Sequence, residues 1–114
     1  MYALKNKVQL IGNLGNAPEI RTTENGKKMA RFSLATSEVY KNAKGEKVTE
    51  TQWHNLVAWG KVADIVAQYL DKGREVAIEG KLVNRSYDDK NGNKKFITEI
   101  LVNELLLLGS KAAV

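Results

Sequence analysis

Only one stretch of this chain places its apolar residues at helical spacing. Within residues 61–72 they fall at Val62, Ile65, Val66, Tyr69 and Leu70, which predicts one amphipathic helix, with Tyr69 in its buried stripe and Gly73 stopping it in a left-handed cap. Elsewhere the chain alternates with the period of strands. Residues 29–37 set Ala30, Phe32, Leu34 and Thr36 on one face, predicted to be core, and Arg31, Ser33, Ala35 and Ser37 on the other. Residues 74–87 turn Val76, Ile78, Gly80 and Leu82 inward and Lys81, Val83, Arg85 and Tyr87 outward.

The first strand, within residues 6–15, alternates Val8, Leu10 and Gly12 against Lys7, Gln9 and Ile11. Gly12 and Gly15 lie close enough to predict a bulge or a sharp bend, as a strand needs at a barrel corner. A phosphate cradle is disfavoured, because neither a helix start nor a Gly-Lys-Ser/Thr sequence follows. Pro18 and a turn at residues 24–27 lead to the second strand. Residues 41–47, polar around Gly45, read as a long hairpin connection to the third strand at residues 50–59. Asn91 and Gly92 suit the positive φ angles of a tight turn before the last strand, residues 96–108. That strand ends in Leu105, Leu106, Leu107 and Leu108, which predicts burial on both sides, one of them against another subunit. Three strands, a helix and two more strands are the order of the OB-fold, a mainly β, five-stranded Greek-key barrel with its helix between strands 3 and 4.

On the third strand, alternation places Trp53, Asn55, Val57 and Trp59 together, opposite His54, Leu56 and Ala58. The second set suits a core, so both indoles are left outside, about 20 Å apart. Exposed aromatics need a covering, and unpaired bases stack on such rings. Lysine and arginine outnumber aspartate and glutamate by 18 to 13, a formal charge of +5 that favours polyanions. In an OB-fold the oligonucleotide face is the exposed side of strands 2 and 3 with its flanking loops, a region that here holds Tyr40, Trp53, Trp59 and Tyr87.

With 114 residues, one domain is expected, spanning 1–109 and followed by a short remnant at 110–114. No apolar run reaches membrane-span length and no signal-peptide pattern opens the chain, so a cytoplasmic, nucleoid-associated protein without membrane contact is expected. Cysteine is absent. Thiolate metal sites and cysteine nucleophiles are thereby excluded. His54, the single histidine, has no relay partner and reads as packed or at an interface. Asp88 and Asp89 are adjacent at a turn and face opposite ways, so they do not form an acid and base pair. A binding protein without metal or cofactor is expected rather than an enzyme.

The chain resembles the bacterial single-stranded DNA-binding protein family. The matching residues are Asn6, Lys7 and Val8; Gly12 to Gly15 with Pro18 and Glu19; Leu34 to Glu38; Trp53 and His54; Gly60 and Lys61; Tyr69 and Leu70 with Lys72 and Gly73; and Ile78, Glu79 and Gly80. The resemblance implies that Tyr40, Trp53, Trp59 and Tyr87 are base-stacking platforms, with Asn55 between the indoles. It also implies that Lys7, Arg31, Lys61, Lys72, Arg85 and Lys95 line the path of the DNA backbone. Family members often carry tryptophan in place of Tyr40 and Tyr87, and phenylalanine in place of Trp59.

The same resemblance implies a homotetramer with His54 at subunit contacts, and a role in replication, recombination and repair. In the family a flexible tail with an acidic tip recruits replication and repair proteins. This sequence stops at residues 109–114 without an acidic cluster, so DNA binding without that recruitment is expected of it. The alternatives are a dimeric primosomal OB protein, an OB domain whose aromatics meet another protein, and, last, a nuclease.

Overall fold

In the computed structural model, which describes residues 4–109, six strands and one helix follow one another. They are β1 (Val8–Leu14), β2 (Glu19–Thr22), β3 (Lys28–Lys41), β4 (Lys47–Trp59), α1 (Gly60–Tyr69), β5 (Glu75–Asp88) and β6 (Lys94–Leu107). The sheet order is β1-β5-β6-β4-β3-β2, and a further β1–β3 pairing closes five of the strands into a barrel. β1 makes that closure by changing partner: Val8 to Asn13 pair with β5, while Asn13 and Leu14 pair with β3. Only β4 and β6 run parallel, and only through Leu56 with Ile100 and Val57 with Leu101. This is the expected OB-fold. Its helix falls between β4 and β5 in the present numbering because β2 was not foreseen. All four β2 residues are exposed, so no buried face betrayed the strand.

The inward faces of the barrel strands supply the core, with Phe32, Leu34, Leu56, Val76, Ile78, Ile100 and Val102 among the buried residues. From α1, Ala63 and Val66 join it, followed by Leu70. The helix covers less than its spacing implied. Tyr69 is 49% exposed rather than packed, and α1 ends at that residue, with the Leu70 N–H donating to the Val66 carbonyl. Gly73 does have φ of +88°, but in the turn closed by the Arg74 N–H on the Asp71 carbonyl, beyond the helix. Leu82, also expected inside, is 46% exposed, and Phe96 is 76% exposed. Both strand pairs outgrow the barrel. Past Thr36 on β3 and Val83 on β5 every residue of the strand is exposed, so an inward position there has no core to meet.

Three hairpin turns share one build. Thr23, Asn42 and Asp89 each accept from the N–H of a glycine three residues on (Gly26, Gly45, Gly92) and donate their own N–H to the carbonyl of the residue after it. Their side chains accept further backbone N–H groups of the turn, such as Lys27 on Thr23, Glu46 on Asn42 and Asn93 on Asp89. The three glycines have φ between 78° and 82°, the left-handed residue of a three-residue hairpin loop. The Asn91–Gly92 turn is therefore of this kind, with only the glycine at positive φ. The connection after β3 is correspondingly short, since Lys41 and Lys47 pair with each other.

Gly12 forms no bulge: it stays in register with Val76, and a side chain there would run into the Ala35 backbone. The register breaks at Glu79 and Gly80, which pair with Glu104 and Val102 and leave Asn103 unpaired. That shift keeps Leu105 and Leu107 against the core, while Leu106 faces outward, 63% exposed. Among the described residues no helix is long and apolar enough to cross a membrane.

Candidate nucleic-acid interface

An uninterrupted β3–β4 register places Trp53 opposite Ala35, Asn55 opposite Ser33, Val57 opposite Arg31 and Trp59 opposite Met29. These residues share the outer face of the barrel, because their neighbours Leu34, Leu56 and Ala58 fill the core. Trp53 is 64% exposed and Trp59 39%. Trp53 lies against Gly15, whose N–H donates to the Ser33 carbonyl at 3.0 Å. The floor beneath it is fixed by Asn16, whose Oδ1 accepts from the Ser33 N–H at 3.0 Å and from its hydroxyl at 2.8 Å.

Trp59 borders a groove floored by Val57, Val83 and Leu101. Lys27 Nζ stands 5.9 Å from the centroid of the Trp59 ring. Across the groove, Arg85 Nε donates to Glu99 Oε1 at 2.6 Å, and Arg31 Nη2 lies 3.5 Å from Glu99 Oε2. Glu99 is 5% exposed, although it points to the outer face. The carboxylate raises the pKa of the Arg85 guanidinium further, through their hydrogen bond first and their charges second. Lys27 and Glu99 escaped the sequence reading. The lysine belongs to a turn whose fold-back was not resolved there, and a lone glutamate on a β-strand carries no motif.

Tyr87 is 49% exposed on the outer face of β5, two residues beyond Arg85 and paired with Lys95. Tyr40 is 47% exposed but lies an odd number of positions from Ala35 in an unbroken register, so it leaves the opposite face of the ribbon from Trp53. Lys61 stands in the first turn of α1, directly after Trp59 and Gly60. Lys72 precedes Gly73, whose N–H donates to the Leu14 carbonyl next to Gly15. Lys7 is set apart from the aromatics: it is ion-paired with Glu79 at 2.7 Å, on the outer face that β1 shares with β5. The structure thus gathers Trp59, Arg31 and Arg85 around one groove, with Trp53 and Asn55 further along β4. His54 Nε2 lies 3.0 Å from Thr36 Oγ1, part-buried on the inner side.

Residues 5–108 match the model of the Single-strand binding protein family. The chain belongs to that family. Single-stranded DNA-binding protein 1 of Chlorobaculum tepidum is 54% identical over 107 residues, covering 93% of this chain and 66% of its own length. The Neisseria meningitidis serogroup A single-stranded DNA-binding protein is 42% identical over 106 residues, covering 93% of this chain and 61% of its own. This chain therefore spans less than two thirds of the length of these family members. Among solved structures, Plasmodium falciparum SSB in complex with single-stranded DNA superposes with a TM-score of 0.84 at 36% identity, over 91% of this chain and 95% of that one. Among the described residues no cluster of three or more histidine, aspartate or glutamate side chains is arranged to hold a metal ion.

Proposed function

We propose that the protein binds and shields single-stranded DNA with little sequence preference, in replication, recombination and repair. The observation that carries this is the pair of exposed indoles, Trp53 and Trp59, on one outer face with Arg31 and Arg85 between β3 and β5. Stacking on such rings does not depend on base identity, since every base has a π face. The arginines, with Lys61, Lys72 and Lys95, neutralise phosphates along the path. Tyr87 extends the platform onto the projecting hairpin. Because Tyr40 lies on the other side of the β3–β4 ribbon, a strand that reaches all four rings passes around the ribbon's edge. Binding alone accomplishes the task and requires no catalytic step, and its setting is the bacterial cytoplasm. The likeness to relatives named for single-stranded DNA binding supports the reading.

Several such faces act together if the chain assembles into a homotetramer, because linked sites gain affinity without further interactions at any one of them. An outer row of Ile11, Ala77 and Leu106 across β1, β5 and β6 favours self-association. Ile11 and Leu106 are 62% and 63% exposed, an apolar pair that a second copy would cover. Titration with oligothymidine, followed by tryptophan fluorescence at low and high salt, tests the DNA reading, since Trp53 and Trp59 are the only indoles. Strong quenching with salt-sensitive affinity is expected. An absence of quenching at low salt would hand the site to a protein partner instead.

A further inference from the structure

Glu99 is the only buried charged side chain among the described residues, and it faces the side of the barrel proposed to meet a polyanion. On such a face a carboxylate should weaken binding by its charge alone. Its surroundings argue for another effect. Arg85 reaches it from β5 through Nε at 2.6 Å and Nη2 at 3.4 Å. Arg31 reaches it from β3, across Val57 of β4, through Nη2 at 3.5 Å. Two guanidiniums that would otherwise repel each other are held by one carboxylate, and the cluster keeps a net positive charge. Both arginine side chains remain outwardly accessible, at 40% and 43% exposure. Arg31 Nε is buried with no hydrogen-bond partner, so Glu99 is the only partner that the arginine's guanidinium has in the free protein among the described residues.

We infer that Glu99 is a positioning residue for single-strand binding. Its carboxylate sets Arg31 and Arg85 side by side at the Trp59 groove, so that they meet the nucleotide backbone already aligned. An arginine free to rotate loses side-chain entropy when it engages a ligand, and prior fixing removes that loss from the binding step. Arg85 depends on this most, because its strand neighbours Asn84, Ser86 and Tyr87 are all exposed and offer no packing to hold it. The inference rests on the proposed DNA-binding reading of this face.

Glu99→Gln keeps the shape and removes the charge, which makes the two accounts predict opposite signs. Oligothymidine affinity of the wild type and the variant is measured by tryptophan quenching over a salt series, with thermal unfolding of each recorded alongside. If Glu99 positions the arginines, the variant binds roughly fivefold or more weakly despite its added positive charge. Its salt dependence also becomes shallower, by about 0.7 in logarithmic slope for each arginine that no longer meets a phosphate. In an Arg31→Ala/Arg85→Ala background the same substitution weakens binding no further. Equal or tighter binding by Glu99→Gln overturns the inference, and so does an undiminished weakening in the arginine-free background. Should Glu99→Gln not fold, Arg85→Lys serves: it keeps the charge but not the two-pronged hydrogen bonding, and unchanged affinity overturns the inference equally. A wild-type chain that fails to bind overturns the underlying DNA reading, which is a different result from a wild type that binds and a variant that matches it.

Discussion

The indole of Trp53 lies on Gly15 so closely that a Cβ at Gly15 would overlap the ring at Cζ3 and stand 2.8 Å from Ser33 Oγ. The missing side chain is thus what lets the ring approach the backbone just beyond β1. Trp53 is 64% exposed, so in Gly15→Ala the ring can swing outward while the backbone stays in place. Stability should change by less than about 1 kcal/mol. Affinity for single strands should fall by about 1 to 3 kcal/mol, the worth of one stacking platform. Trp53→Ala should show the same loss, and combining the two should add little. Oligonucleotide titration of the three variants checks this.

Gly12 offers the contrasting case. A Cβ there meets the Ala35 carbonyl group, with the carbonyl carbon at 3.0 Å, and this is backbone rather than a mobile ring. The neighbouring β1–β3 seam consists of two residue pairs, Asn13 with Ala35 and Leu14 with Leu34, so any retreat reopens the barrel. Gly12→Ala should therefore destabilise the fold by roughly 3 kcal/mol, towards the upper end for overpacking. In urea the midpoint should drop with an unchanged slope. A midpoint equal to that of the wild type would mean that the seam yields without cost.

What could be read from the sequence follows from where a pattern had a core to report on. Ala30, Phe32, Leu34, Leu56, Val76 and Ile78 alternate within the barrel, and all are buried as expected. Phe96 continues the same alternation onto the projecting β5–β6 hairpin, where the inward face meets solvent, and Leu82 stands at the base of that projection, already 46% exposed. The helical spacing that marked Tyr69 was real, but a helix of ten residues seats only Ala63 and Val66 fully. The outward indoles were legible because Leu56 and Ala58 claim the other face. Glu99 was not, because its meaning depends on Arg31 and Arg85, which are brought to it from two other strands by pairing that no local pattern encodes.

The Lys7–Glu79 ion pair gives a pH dependence whose sign is fixed. The Lys7 ammonium lowers the Glu79 pKa below its ordinary 4.5, through their hydrogen bond first and their charges second. The unfolded chain binds a proton at Glu79 more readily than the folded one does. The contribution to stability is therefore full above the ordinary value and is lost as pH falls through the lower folded value. Both side chains are solvent-accessible, so the effect should be small and fade in high salt. The difference in thermal midpoint between wild type and Glu79→Gln should be constant near neutrality and vanish in acid. A difference that grew as pH fell would contradict the assignment.

The proposed self-association can be traced to a face by a substitution that leaves the barrel intact. Ile11, Ala77 and Leu106 are consecutive partners across β1, β5 and β6, and they form one apolar row on the outside of the closed sheet. Leu106→Glu places a carboxylate in that row at a position 63% exposed in the single chain, so the monomer has little packing to lose. A second copy seated on the row would have to bury that charge, at a cost of several kcal/mol unless it is paired. Light scattering at low concentration should show the mass falling towards that of one chain, with the thermal midpoint of the barrel changed only as loss of assembly requires. Binding to a short oligothymidine that fits one chain should persist, whereas the extra affinity for a long strand should disappear with the linked sites. His54 provides the comparison. It lies on the inner side against Thr36, away from the row, so a charged replacement tests a separate part of the surface. Loss of mass with His54→Glu but not with Leu106→Glu would move the interface from the β1–β5–β6 row to the region around β4.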